Sequence, residues 1–232
     1  MRMRHKKNLE SRLEAVSDWL LDCTEQDLNT ENNEENLRYY NPKQIFGNTN
    51  PVYLEIGCGK GQFIRELAAR HPENNYIACE KVGNVIVSAA EHAKEDHLTN
   101  VRFMKCGAEY LPRFLPPASI SGIYLNFSCP YPKNSYANHR LTNERYLESY
   151  RKFMAPGAEI HQKTDNMHFF EYSIECFTAC GFALKNVSLD LHHSDFTDNI
   201  VTEYEARFSA QGLPIYRLEA YLPKQPSKEE TA

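Results

Sequence analysis

The sequence has no apolar run near the roughly 20 residues that span a bilayer, which excludes a helical integral membrane protein. Its opening M-R-M-R-H-K-K carries the charge of a signal peptide without the apolar stretch that follows in one. A cytoplasmic protein is the expectation. No C-x-x-C pair occurs among the seven cysteines, Cys23, Cys58, Cys79, Cys106, Cys129, Cys176 and Cys180, and their number is odd. That argues against a disulfide framework or a thiolate zinc site and for reduced, mostly buried thiols. The nine histidines show no metal-ligand spacing; His192 and His193 are adjacent and would face opposite ways on a strand. No metal is expected. Positive charge is also in short supply, with 26 basic against 31 acidic side chains and a net charge of −5. A protein that coats nucleic acid indiscriminately needs the reverse balance, because Lys and Arg displace counterions. A local basic face remains compatible with it.

What is present is an alternation of short apolar runs with longer amphipathic ones. At about 150 residues per domain, 232 residues allow one or two. Residues 51–222 read as one domain. Residues 1–50 hold a basic arm and a variable segment, acidic from Asp22 to Glu35 with no Lys or Arg, and 223–232 read as a disordered tail. Strands are expected at 52–56, 76–80, 101–105, 120–127, 158–164, 182–189 and 214–221. Helices are expected at 63–70, 84–95, 143–154, where Pro156–Gly157 stops the turn, and 169–180, ended by Gly181. Strands separated by helices imply an α/β fold, a doubly wound and mostly parallel sheet with helices on both faces.

Residues 54–61, L-E-I-G-C-G-K-G, lie between the first strand and the first helix. In doubly wound folds this turn is where a nucleotide-like ligand docks. The glycines, Gly57, Gly59 and Gly61, are more closely spaced than in a pyrophosphate loop, and Glu55 precedes them by two residues. A carboxylate there repels a pyrophosphate and suits a cation; S-adenosylmethionine carries an ammonium and a sulfonium. Glu80 ends the second strand, 19 residues beyond Gly61, where a carboxylate can accept both ribose hydroxyls. Glycines at such a turn also serve packing alone, and only the whole combination points to a ligand. It resembles the class I S-adenosylmethionine-dependent methyltransferases.

Three later segments narrow the resemblance: N-F-S-C-P-Y-P-K (126–133), K-T-D-N (163–166) and T-E-Y-E (202–205), with D-L-H-H-S-D-F (190–196) between the last two. With the M-R-M-R start, they resemble the bacterial tRNA (guanine-N7)-methyltransferase family from Met1 to about Leu222. The resemblance implies a Rossmann-like seven-stranded sheet of order 3-2-1-4-5-7-6 with the seventh strand antiparallel. It also implies methyl transfer from S-adenosylmethionine to N7 of a guanosine in the tRNA variable loop, leaving S-adenosylhomocysteine. Its cofactor positions fall on Glu55, Gly57, Gly59, Gly61, Glu80, Cys106 and Cys129. Its substrate positions fall on Lys133, Asp165, Thr202, Glu203, Tyr204 and Glu205, and its catalytic positions on Cys129 and Asp165. tRNA is the implied partner, with no membrane, for a monomer or a homodimer.

The chain departs from the family's pattern most clearly at one motif. Where the family reads N-F-x-D-P-W-P-K, this sequence has Cys129 for the Asp and Tyr131 for the Trp. A thiol with an ordinary value near 8.5 is mostly neutral at pH 7 and does not supply a carboxylate's charge. The family usually has Asp or Asn where Cys106 stands, and the backbone amides of Cys106 to Ala108 remain available to an adenine. The loop 133–142 holds fewer basic residues than the family's, which predicts a looser grip on RNA. Three readings therefore stand: an active tRNA methyltransferase, a catalytically impaired paralogue that binds cofactor or RNA, and a methyltransferase with another substrate.

Overall fold

The computed structural model describes residues 8–23 and 37–224. Its strands are β1 (Leu20–Leu21), β2 (Val52–Ile56), β3 (Asn75–Cys79), β4 (Val101–Met104), β5 (Ile120–Asn126), β6 (Met154–Thr164), β7 (Ala183–Ser188) and β8 (Tyr216–Tyr221). The helices are α1 (Leu9–Ala15), α2 (Pro42–Phe46), α3 (Gln62–Arg70), α4 (Gly83–Glu95), α5 (Leu111–Phe114), α6 (Glu144–Arg151), α7 (Met167–Ala179) and α8 (Glu203–Ser209).

Period-2 alternation explains the layering. On β3, Tyr76 and Ala78 enter one apolar cluster and Ile77 and Cys79 the other. α3 and α4 cover the first face with Ile64, Leu67, Ile86, Ala89 and Ala90. α6 and α7 cover the second with Tyr146, Leu147, Tyr150, Phe170 and Phe177. Helices cover both faces of the central strands, as a parallel sheet requires.

The sheet runs β1-β4-β3-β2-β5-β6-β8-β7. Every pairing is parallel except those of β8 with β6 and β7. Counted from β2, this is the expected order 3-2-1-4-5-7-6 with its last strand antiparallel. The number of strands is corrected from seven to eight among the described residues: Leu20 and Leu21 pair with Phe103 and Met104 at the edge. Two residues are too few to show a period, so only the contact reveals this strand.

A second correction concerns the helix expected over 143–154. It ends at Arg151, and β6 begins at Met154. The Phe153 carbonyl accepts from the N–H groups of Ser119 and Ile120, at 2.9 and 3.0 Å, which draws the chain into the sheet ahead of Pro156 and Gly157. Those two residues lie inside β6, where the pairing with β5 shifts register.

The described residues before position 51 pack on the domain. Arg12 on α1 forms an ion pair with Glu91 on α4, the Trp19 indole donates to the Leu98 carbonyl at 2.8 Å, and Tyr40 stacks on Phe114 at 5.7 Å. The basic start, most of the acidic stretch and most of the tail lie outside the described residues. Among the described residues, no helix is long and apolar enough to cross a membrane.

Candidate active site

The chain order reverses at β2, which pairs with β3 on one side and β5 on the other, so a crevice opens beyond their carboxyl ends. The loop leaving β2 is shaped for that crevice. Gly57 and Gly59 adopt φ of 80° and 56°, and a Cβ on either would meet nothing within 4 Å, so the space above the loop stays open. Gly61 is there for close packing instead: a Cβ would stand 2.9 Å from that of Ala89 on α4. The N–H groups of Gly57 and Cys58 both donate to the Cys79 carbonyl, at 2.9 and 3.1 Å, folding the loop over the end of β3.

Glu55 points from β2 into the base of the crevice and is 2% exposed. Its Oε1 accepts from the Asn126 amide at 3.0 Å, and its Oε2 is buried without a hydrogen-bond partner. Burial pushes its carboxyl up to about 7, against the opposing pull of the Asn126 hydrogen bond, the Lys163 charge and the backbone N–H of Ile64 at the start of α3. The cavity above it holds about 380 Å³ and is walled by the 57–60 loop, Glu80, Cys106 to Glu109, Asn126 to Cys129, and Thr202 to Tyr204. Glu80 follows β3, half-buried, with Oε1 accepting from the Val82 N–H at 3.0 Å. Cys106 is buried, and hydrogen bonding with Cys23 and Cys79, then burial, raises its thiol well above the ordinary range.

The residues expected to meet a substrate divide. Cys129 is exposed and lines the cavity. Glu203 and Tyr204 also line it; Glu203 is exposed, its N–H donates to Gln62 Oε1 at 2.6 Å, and its carboxylate lies 3.9 Å from Lys60. Thr202 lines it as well, while its hydroxyl caps α8 by accepting from the Glu205 N–H at 3.0 Å. Lys133 is exposed and Asp165 half-buried, and neither lines the cavity. Asp165 follows β6 directly, beside the loop that leaves β5.

Glu205 is placed quite differently from the expectation. It is 0% exposed and does not line the cavity. Its Oε2 accepts from the Lys163 ammonium at 2.7 Å, and its Oε1 accepts from the Asn199 amide and lies 3.2 Å from His192 Nε2. Lys163 also donates to Asn199 Oδ1 at 3.0 Å and to the Ile200 carbonyl at 2.8 Å. One buried cation thus fastens β6 to the segment that carries Thr202 to Tyr204 over the cavity. Sequence reasoning assigned no role to Lys163, Asn199 or Asn126. A polar residue inside a strand or in a loop shows no role until its partners are known.

The chain is similar to known proteins in sequence and in fold. A family model described as "Putative methyltransferase" matches residues 49–218. A tRNA (guanine-N(7)-)-methyltransferase of Geobacillus sp. (strain WCH70) is 42% identical over 228 residues, 98% of this chain and 99% of that protein. The enzyme of the same name from Listeria monocytogenes serotype 4b (strain F2365) is 48% identical over 178 residues, 77% of this chain and 83% of that one. Among solved structures, the 16S rRNA methyltransferase KamB superposes with a TM-score of 0.59 at 14% identity, covering 84% of this chain and 96% of its own. That last likeness shows the fold alone. With a relative matched end to end and an α/β sheet of the methyltransferase kind, this chain belongs to the tRNA (guanine-N7)-methyltransferase family.

Proposed function

We propose that this chain transfers a methyl group from S-adenosylmethionine to N7 of a guanosine in the variable loop of tRNA. The observation that carries this reading is Glu55, a buried carboxylate with one oxygen unpartnered at the base of the crevice. A desolvated anion in that state is costly unless a cationic or hydrogen-bond-donating ligand completes it. The donor set therefore fits the methyl donor. Glu55 and the 57–61 loop would hold its amino-acid end, Glu80 its ribose hydroxyls, and the backbone around Cys106 to Ala108 its adenine. When bound, S-adenosylmethionine supplies an electrophilic methyl group on a positively charged sulfur.

The protein's own task is modest in chemistry and strict in geometry. Guanine N7 has a free lone pair and no proton, so no general base is required. Catalysis rests on aligning N7 with the methyl group and on stabilising positive charge as it arrives on the purine. Glu203, exposed on the cavity wall, is the carboxylate assigned to offset that charge. Asp165 and Lys133, outside the wall, are assigned to the RNA around the base, Lys133 toward a phosphate. Cys129 is exposed on the cavity wall and is assigned to contact with the bound groups.

The test uses the full chain with labelled S-adenosylmethionine and unmodified tRNA, scoring N7-methylguanosine in the digested product. Its appearance in the variable loop is expected. Cofactor binding without any methylated tRNA at high enzyme concentration would replace the reading with that of a non-catalytic paralogue.

A further inference from the structure

Three aromatic rings gather at the mouth of the cavity. Tyr204 and Phe208 stand four residues apart on α8 and so share one helix face. The Phe127 ring stacks on both, with its centroid 6.3 Å from Tyr204 at 19° and 6.2 Å from Phe208 at 21°. Phe127 reaches this place with φ of 50°, a left-handed conformation that a bulky side chain rarely adopts. Its N–H is held by the Lys163 carbonyl at 2.8 Å. The turn is thus pinned to β6 on one side, and its ring is engaged by α8 on the other. The outermost ring, Tyr204, is 59% exposed, and both Tyr204 and Phe127 line the cavity that Glu55 closes below.

An exposed aromatic ring whose orientation is set by a second ring is a prepared surface. An unstacked nucleobase is commonly held by stacking on such a ring. Methylation at N7 turns the purine into a cation, and a π face attracts a cation more than its neutral precursor. Stacking here therefore strengthens along the reaction, which is what lowers a barrier rather than merely improving binding. We infer that Tyr204 is the stacking surface for the target guanine and that Phe127 and Phe208 are positioning residues that hold its ring. This rests on the reading of the site as an N7-methyltransferase and adds to it a source of charge stabilisation suited to a chain with Cys129 in the family's Asp position.

The experiment compares the full-length wild type with Tyr204→Ala, Tyr204→Phe, Phe127→Ala and Phe208→Ala. It measures kcat and KM on unmodified tRNA, and affinity for S-adenosylhomocysteine by calorimetry as a control for folding. It also measures binding of 7-methylguanosine monophosphate against guanosine monophosphate. Tyr204→Ala is expected to lower kcat/KM by about ten- to hundred-fold with much of the loss in kcat, while product-cofactor affinity stays within about twofold. Tyr204→Phe recovers most of that loss. The two positioning variants lose less, in the same pattern. Wild type prefers the methylated nucleotide, and Tyr204→Ala loses the preference. The inference is overturned if Tyr204→Ala keeps kcat/KM within about twofold, or keeps the preference, or loses cofactor affinity in step with activity. A wild type that makes no N7-methylguanosine overturns the underlying reading instead, so the two failures are told apart.

Discussion

Glu55 and Glu205 are both carboxylates taken out of water, 2% and 0% exposed, yet their surroundings are opposite. Glu205 has its counter-charge built in: Lys163 at 2.7 Å, with Asn199 and His192 completing the other oxygen. Glu55 has the Asn126 amide on one oxygen, the Ile64 backbone N–H nearby and, among the described residues, no ion pair, and it faces a cavity. The first is a fastening that holds α8 and the 202–204 segment against β6. The second is the carboxylate proposed to meet a ligand's charge. Burial alone does not distinguish a structural anion from a binding one; the partner count on each oxygen does.

The largest effect that tests the contrast is on stability. Glu205→Ala leaves the Lys163 ammonium buried without its counter-charge, and a loss of about 3–5 kcal/mol is expected by urea denaturation. A loss below about 1 kcal/mol would place Glu205 with the ordinary surface ion pairs and dissolve the comparison. Glu55→Gln should do the reverse: fold stability unchanged or higher, with S-adenosylhomocysteine affinity lowered by about ten- to hundred-fold in calorimetry. Destabilisation of this variant without a change in affinity would make Glu55 a second fastening.

The pH dependence sharpens the same point. Burial holds the Glu55 carboxyl at about 7 in the native state, above the roughly 4.3 of an unfolded chain. The native state therefore keeps a proton that the unfolded state gives up in that window. Glu55 is stabilising in its protonated form, and this contribution is lost as pH rises from about 4.3 to about 7. Cofactor affinity should run the other way, rising through pH 7 as the carboxylate forms. Both trends should flatten in Glu55→Gln; an affinity curve identical in the two proteins would remove the charge from the argument. The smallest effect is expected at the rim, where Cys129→Asp should raise kcat by at most about fivefold, since water screens an exposed charge. A loss there would mean that the mouth of the cavity is built around the thiol.

Much of the cavity wall is legible along the chain because its contacts are local to strand ends. L-E-I-G-C-G-K-G places Glu55 and the open glycines together, and the length of one strand–helix–strand unit brings Glu80 alongside. The 202–205 segment was legible only as a unit. That its four residues separate into a cap, two wall residues and a buried anchor follows from the helical turn of α8, which points Glu205 inward while Glu203 and Tyr204 face out. The edge strand β1 and the early end of α6 were hidden for a related reason. Each is decided by a hydrogen-bond partner distant in sequence rather than by a local pattern.

From the sequence alone came the succession of β2 to β8 with α3, α4, α6 and α7, the α/β class and the glycine loop after β2, since these follow from periodicity and from glycine at tight turns. Which buried carboxylate is free was decided only by tertiary structure. Lys163 and Glu205 are 42 residues apart, and Asn126 and Glu55 are 71. A charge's role depends on what neutralises it, and those partners meet only when the sheet is assembled.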